Sequence, residues 1–524
     1  APASSFTLSF SAPPPLSLSL PSLPSPTLSL CIPSPLPSLL PLPLPPVPPP
    51  FSLPSPLSLY PVPPPRPPGL SLSPVRPACS SSLSFFLSLL SCIMSTGGDV
   101  GEGGDSLLRV AAHVGLQALT AGSNFACSPV SLRAALGLVA VGSSGRTLQQ
   151  LLSFLGFPHD LAVNDPRLAA GRAVVASTHR PVGGEEDEKT HVSLVSGVWL
   201  DATLTMNQAF KEIATSIHQA DAKSVDFLNK ALEVRSDINT WVEEGTNGVI
   251  RDFLPVGSVT DGTKLVIANA LYFRGKWETP FDSSLTFDSE FHLLGGGSVR
   301  APFMTTTPNK LMSMSSFEDG LKVLRLRYDV DPIDYSIRVA LLERYRDWED
   351  GDKACLEIDA ELRRLQKIFS MYVFLPRERD GLQRLAEEVS SDPSFVHRHR
   401  PTQVFRARTL MLPRFGASWG TFDFSGDLRD LGLPLLFSGQ AELHRLTSDA
   451  SEVGLSAVLH RATVKVDEKG TMAAAATGTE LMGCSMFEDP QDEFVADHPF
   501  LFVITEDHSG QVLFYGHVVN PLFE

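Results

Sequence analysis

Asp497 and His498 adjoin one another, serines are abundant, and Cys484 lies in a short uncharged stretch. A carboxylate, an imidazole and a hydroxyl or thiol are the parts of an acyl-transfer centre, in which a base activates a nucleophile toward a carbonyl. No nucleophile elbow is identified to go with them, so a hydrolase is the minor reading. Metal chemistry has less to stand on. There is no Cys-x-x-Cys and no His-Glu-x-x-His, and His397 with His399 makes only an isolated His-x-His pair, read as surface histidines. The six cysteines (Cys31, Cys79, Cys92, Cys127, Cys355 and Cys484) are scattered and do not read as a disulfide framework. No cofactor and no metal are implied.

The net charge of −16 and the pI of about 5.3 set the partners. A nucleic-acid binder needs a basic face for phosphates, and an electrostatic membrane anchor needs basic clusters; neither fits this balance. Residues 1–93 differ sharply from the rest. They are runs of Ser, Pro and Leu, with Arg66 and Arg76 the sole charged side chains before Asp99. Proline at that density blocks helices and sheet ladders, so disorder or polyproline-like coil is expected there. Leu83–Ile93 is apolar but shorter than the ~20 residues a spanning helix needs. The segment reads as a translated leader from an over-extended gene model, with a plastid-like or secretory leader as the alternative.

Positioning elements begin after Met94. Asp105 is expected to cap a helix carrying Leu107, Leu108, Ala111, Val114 and Ala118 and ending at Gly122. Ser128-Pro129 marks a second start, and that helix stops near Gly142. A third spans about Thr147–Leu155. Strands are expected at Val192–Leu200, Lys264–Phe273, Phe369–Leu375 and Ser456–Val466, where β-branched and aromatic residues gather. Phe500–Thr505 and Val512–Val519 flank Ser509-Gly510 as a hairpin. Helices come mainly first and strands mainly later, which is an α+β pattern.

Several stretches in fixed order then resemble the serpin family. They are Ser128-Pro-Val-Ser131, Gly142-Ser-Ser-Gly-Arg-Thr147, Ile238-Asn-Thr-Trp-Val-Glu-Glu-Gly-Thr-Asn-Gly-Val-Ile250 and Asn269-Ala-Leu-Tyr-Phe-Arg-Gly-Lys-Trp277 with Phe281. Leu412-Pro-Arg-Phe415, Asp467-Glu-Lys-Gly-Thr471 and Phe494-Val-Ala-Asp-His-Pro-Phe-Leu-Phe502 follow. Ser509–Pro521 and Phe369–Pro376 look most like plant serpins. The resemblance covers about Asp105–Glu524. It implies a serpin fold over 94–524, with helices, three β-sheets and an exposed reactive loop. It also places Asp497-His498-Pro499 inside a structural motif, which takes the pair away from a hydrolase.

What the resemblance implies for function is inhibition of serine-type endopeptidases by a suicide-substrate route, without catalysis by this chain. The hinge is Glu468, Gly470, Thr471, Ala473, Ala474, Ala475 and Ala476. Small residues there can slip between two existing strands. Side chains alternate along a strand, so if Thr471 faces inward then Ala473, Ala475 and Thr477 do too, and Met472 faces out. By the family's spacing the reactive bond is Cys484–Ser485. No Lys or Arg follows Lys469. The expected partner is therefore an elastase-like or chymotrypsin-like serine protease, or a cysteine protease, and not trypsin. Ser128, Ser131, Asn269 and His460 match the family's shutter, a buried polar network beneath the place where the sheet opens. Trp277 and Glu468 match the top of that sheet. The family needs only a short connection between Tyr328 and Phe369, so about 330–365 reads as an insertion. A monomer, extracellular or cytosolic, is expected. The rival from another class is a serpin without inhibitory action, serving as a binding or storage protein.

Overall fold

The computed structural model describes residues 102–172, 191–307, 310–329, 367–401, 404–449, 453–471 and 492–523, with Val339, Leu341, Arg344, Ile358, Glu361 and Leu362. Helices are α1 (Glu102–Thr120), α2 (Pro129–Gly142), α3 (Gly145–Phe154), α4 (Gln208–Ser216), α5 (Phe227–Gly245), α6 (Leu382–Ser391), α7 (Phe395–Arg398) and α8 (Ser425–Asp430). Strands are β1 (Phe125–Cys127), β2 (His191–Asp201), β3 (Asp221–Val225), β4 (Leu265–Lys276), β5 (Phe287–His292), β6 (Ser298–Thr305), β7 (Lys310–Ser316), β8 (Lys322–Arg327) and β9 (Phe369–Leu375). Then come β10 (Val404–Pro413), β11 (Phe415–Ala417), β12 (Phe422–Asp423), β13 (Ala457–Asp467), β14 (Gly470–Thr471), β15 (Asp492–Val495), β16 (Phe500–Glu506) and β17 (Val512–Val518).

The α2 start follows its sequence. Ser128 Oγ accepts the Ser131 N–H at 3.2 Å, and Pro129 sits where its missing N–H leaves no bond unmade. Two expected starts move. α1 begins at Glu102, so Asp105 lies inside the helix and does not cap it. α3 begins at Gly145, at φ +51°, because the Glu442 carboxylate accepts the Arg146 and Thr147 N–H groups from far along the chain. That glutamate does the capping the local sequence lacks.

Seven strands form the sheet that matters for the site. β2 pairs β4 antiparallel and β3 parallel. β4 pairs β13 parallel, from Val266 opposite Ala457 to Tyr272 opposite Thr463. β14 lies between those two strands at one end, and β11 and β12 pair the far side of β13. One face of the sheet is covered by α5, through a core of Trp199, Val234, Ile238, Val242, Ala270 and Tyr272. Its other face packs against the remaining strands and helices, with Leu271, Phe273, Val464 and Val466 inward.

The other ten strands make one continuous ladder in two groups. β7 pairs β10 through Lys310–Ser313 and β8 through Ser313–Ser316, so it joins β8, β9, β16, β17 and β1 to β10, β6, β5 and β15. The expected helices and three sheets are thus present, two of the sheets sharing β7. The C-terminal hairpin forms as expected, β16 with β17 antiparallel and Gly510 at φ +71° in the turn.

Candidate functional site: the hinge and the seam beneath it

β13 ends at Asp467, turns, and sends Gly470 and Thr471 back between itself and β4. Thr471 sits opposite Val466 on one side and Gly275 on the other; Gly470 sits opposite Asp467 and Lys276. This two-residue strand runs antiparallel to both neighbours. Gly470 has φ +153°, and a Cβ there would lie 1.9 Å from the Gly275 carbonyl oxygen, so only glycine fits.

Thr471 is fully buried. Its Oγ1 is 2.8 Å from the Tyr328 hydroxyl, and the Tyr328 ring stacks on Trp277 at 4.5 Å between centroids. Trp277 in turn holds the turn itself: its Nε1–H donates to Asp467 O (3.0 Å) and its backbone N–H to Lys469 O (2.9 Å). The Phe281 N–H donates to Glu468 O at 2.8 Å. The buried Glu468 carboxylate accepts from Arg414 Nε at 2.7 Å and from Thr286 Oγ1. Burial works to raise its pKa, but the Arg414 and Thr286 hydrogen bonds outweigh it and hold the carboxyl below its ordinary value. Burial also pushes the Tyr328 phenol up, so it stays a neutral donor or acceptor for Thr471.

Further down the same seam lies the polar network. His460 on β13 is the direct ladder partner of Asn269 on β4. The Ser128 N–H donates to His460 Nε2 at 3.1 Å. That leaves the proton on Nδ1, which faces Ser131 Oγ at 3.3 Å. Ser131 Oγ donates to Asn269 Oδ1, and Asn269 Nδ2 donates to Ser196 Oγ at 2.9 Å. Burial lowers the His460 pKa to about 3, against a smaller opposing effect of the Asn269 backbone, so the ring is neutral. Ser128, Ser131, Asn269 and His460 are thus brought together as the sequence reading placed them. Ser196 completes the network and was missed; only its position opposite Asn269 across the β2–β4 ladder reveals it.

Cys484, Ser485 and Ala473, Ala474, Ala475 and Ala476 lie outside the described residues, between Thr471 and Asp492. His397 and His399 are not free surface side chains. Both are half-buried, His399 stacks on Phe395 at 3.8 Å, and burial followed by the nearby Arg400 charge lowers His397 to about 4. A hydrolase centre is not assembled. His498 Nδ1 faces Asp497 Oδ1 at 2.7 Å, but Nε2 faces the Pro376 carbonyl at 2.8 Å, where a triad would need a nucleophile. The spacing of a nucleophile elbow does occur, in Gly416-Ala-Ser418-Trp-Gly420, and the sequence reading overlooked it. It joins β11 to β12, strand to strand, and Ser418 Oγ accepts from Thr463 Oγ1 at 3.4 Å. It is no strand-to-helix elbow.

Comparison with known proteins agrees with this geometry. The family model described as Serpin (serine protease inhibitor) matches residues 110–350 and 354–521. Serpin-ZXA of Oryza sativa subsp. japonica is 42% identical over 77% of this chain and 91% of its own length. Serpin-Z1C of Triticum aestivum is 40% identical over 79% of this chain and 94% of its own. Among solved structures, Arabidopsis AtSerpin1 in its native stressed conformation superposes with a TM-score of 0.64 at 34% identity, covering 81% of this chain and all of its own. With a family model spanning most of its length and plant relatives near 40% identity, the chain belongs to the serpin family.

Proposed function

We propose that this serpin inhibits serine-type endopeptidases as a suicide substrate, with the reactive bond at Cys484–Ser485, and is itself not an enzyme. The observation that carries the reading is the place of Gly470 and Thr471. They occupy the first two positions of a strand between β4 and β13, while those strands pair directly with each other lower down. The sheet is therefore held one strand short, and the segment able to complete it starts at its open end.

Continuing the register fixed by these two residues gives each loop residue its partners. Ala473 falls between Phe273 and Val464, and Ala475 between Leu271 and Ala462, all four of them inward core residues. Thr477 falls between Asn269 and His460. Met472 falls between Arg274 and Lys465, on the outward side. Alanines beside Phe273 and Leu271 enter with little steric cost, and a threonine arriving at the buried network brings a hydroxyl that can satisfy it. Insertion must part His460 from Asn269, so the network doubles as the clasp that keeps the seam shut.

The chemistry belongs to the protease. Its nucleophile attacks the Cys484 carbonyl, the Ser485 amine leaves, and the acyl-enzyme forms. Freed at one end, the loop completes the sheet, and the stored free energy carries the acylated enzyme away before water can hydrolyse the ester. An elastase-like or chymotrypsin-like pocket suits the uncharged Cys484. Incubation with such proteases should give an adduct that survives denaturing electrophoresis. A cleaved chain with no adduct would replace this reading with that of a binding or storage serpin.

A further inference from the structure

β8 and β9 are antiparallel neighbours with Arg327 opposite Ser370, and the Tyr328 N–H still donates to Phe369 O at 3.0 Å. Chain ends this close need only a tight turn. Residues 330–367 intervene instead. Connections of that length inside a domain are uncommon unless they serve a purpose or are disordered. This one contains buried helical residues, Leu341, Ile358 and Leu362, and a buried Glu361 accepting from Arg344 Nη1 at 3.3 Å.

Its root is also the floor of the hinge. Tyr328 stacks on Trp277 and meets Thr471, and the next residue, Asp329, donates its N–H to Lys276 O at 2.7 Å. Lys276 is the ladder partner of Gly470. Two consecutive residues at the start of the connection thus grip the two residues that admit the loop. Tyr328 has no room to shift alone, because a single Cβ on Gly275 would already meet its ring at 2.5 Å.

We propose that the 330–367 connection acts on the hinge through Tyr328 and Asp329, so that an event in the connection, such as a proteolytic nick, loosens Thr471. Tyr328 is a positioning residue in this scheme. The coupling stands apart from the inhibitory reading; only its effect on protease trapping rests on that reading. The test places a site-specific protease sequence at residues 350–353, where Asp350-Gly351 signals a turn. Hydrogen exchange of the Gly470 and Thr471 amides is then followed before and after nicking, with and without Tyr328→Phe. Nicking should speed exchange at least threefold and divert the serpin from trapping toward plain cleavage. In Tyr328→Phe exchange should already be fast, and nicking should add little. Unchanged exchange after a complete nick, or an equal effect of nicking in Tyr328→Phe, overturns the coupling. If nicking unfolds the chain, a variant with Asn-Gly joining Asp329 to Ile368 decides it. Fixing the root should slow exchange at Thr471, and an unchanged rate refutes the proposal. Loss of trapping with intact coupling would instead count against the inhibitory reading alone.

Discussion

Thr471→Arg is the sharpest perturbation of the insertion mechanism, and its outcome is worked here from the seat that Thr471 occupies. The side chain is fully buried and meets a single polar partner, the Tyr328 hydroxyl. A guanidinium carries five donors, so most would be unmet and the charge unpaired. Burying it costs several kcal/mol. Lifting Gly470 and Thr471 out of the sheet costs less, about 1 kcal/mol for each ladder hydrogen bond lost. The intact variant should therefore keep its fold with the hinge expelled. After cleavage the arginine must still pass through the seat. A barrier raised by about 3 kcal/mol slows insertion ~150-fold. Deacylation then wins, and the serpin is consumed as a substrate. Titration of the protease should show many more serpin molecules cleaved per enzyme trapped, and cleavage should raise the melting temperature far less than in the wild type. Thr471→Val is the control: it keeps the volume, loses one hydroxyl, and should still trap. Trapping by Thr471→Arg at wild-type yield, or a wild type whose melting temperature does not rise on cleavage, would refute the mechanism.

Other consequences can be checked separately. Complete alkylation of Cys484 should slow inhibition by changing its fit to the protease pocket, and the N-terminal fragment in the adduct should end at Cys484; rapid capture of trypsin at this loop would contradict the specificity. Met472→Glu, flanked after insertion by Arg274 and Lys465, should raise the melting temperature of the cleaved form while leaving the intact form nearly unchanged, by no more than the ~1 kcal/mol an exposed pair supplies. Gly470→Ala puts a Cβ against the Gly275 carbonyl and should free the hinge to exchange its amide hydrogens; protection equal to wild type would mean that the two-residue strand is not populated. Stability should also fall in mild acid. His460 and His517 are buried neutral, with pKa values lowered by burial to about 3 and about 4. The unfolded chain takes up their protons as pH drops through 6.5 while the folded one does not, so the stability they support is full above pH 6.5 and is lost progressively down to pH 3–4. At pH 5 each contributes a loss of up to about 2 kcal/mol. Denaturant melts at pH 7.5 and 5.0 should show it, and His460→Gln should shrink the difference; a flat profile would show that the rings are not held neutral.

The elements nearest the site were the most legible, for a physical reason. Ser128-Pro129 writes its helix start into adjacent residues, and Phe369–Leu375 is apolar throughout because it is buried on both faces. Where a cap comes from elsewhere, local sequence misleads: α3 starts two residues before the expected Thr147 because Glu442 reaches its N–H groups. The polar network divides in the same way. Four of its members sit in recognisable motifs, whereas Ser196 looks like any strand serine until the ladder sets it beside Asn269. The hinge was legible in composition but not in state. An inward Thr471 followed from strand alternation alone, yet alternation could not tell whether Thr471 waits outside the sheet or already lies within it. Only pairing with both β4 and β13 decides that, and it changes what the residue does. A threonine outside the sheet would merely permit insertion. One that is buried, hydrogen-bonded to Tyr328 and roofed by the Trp277-held turn has already taken the first step, so nucleation of the new strand is complete before any protease arrives. What cleavage must supply is freedom for the remaining loop, and the resistance it meets is the direct β4–β13 pairing, above all the contact between His460 and Asn269.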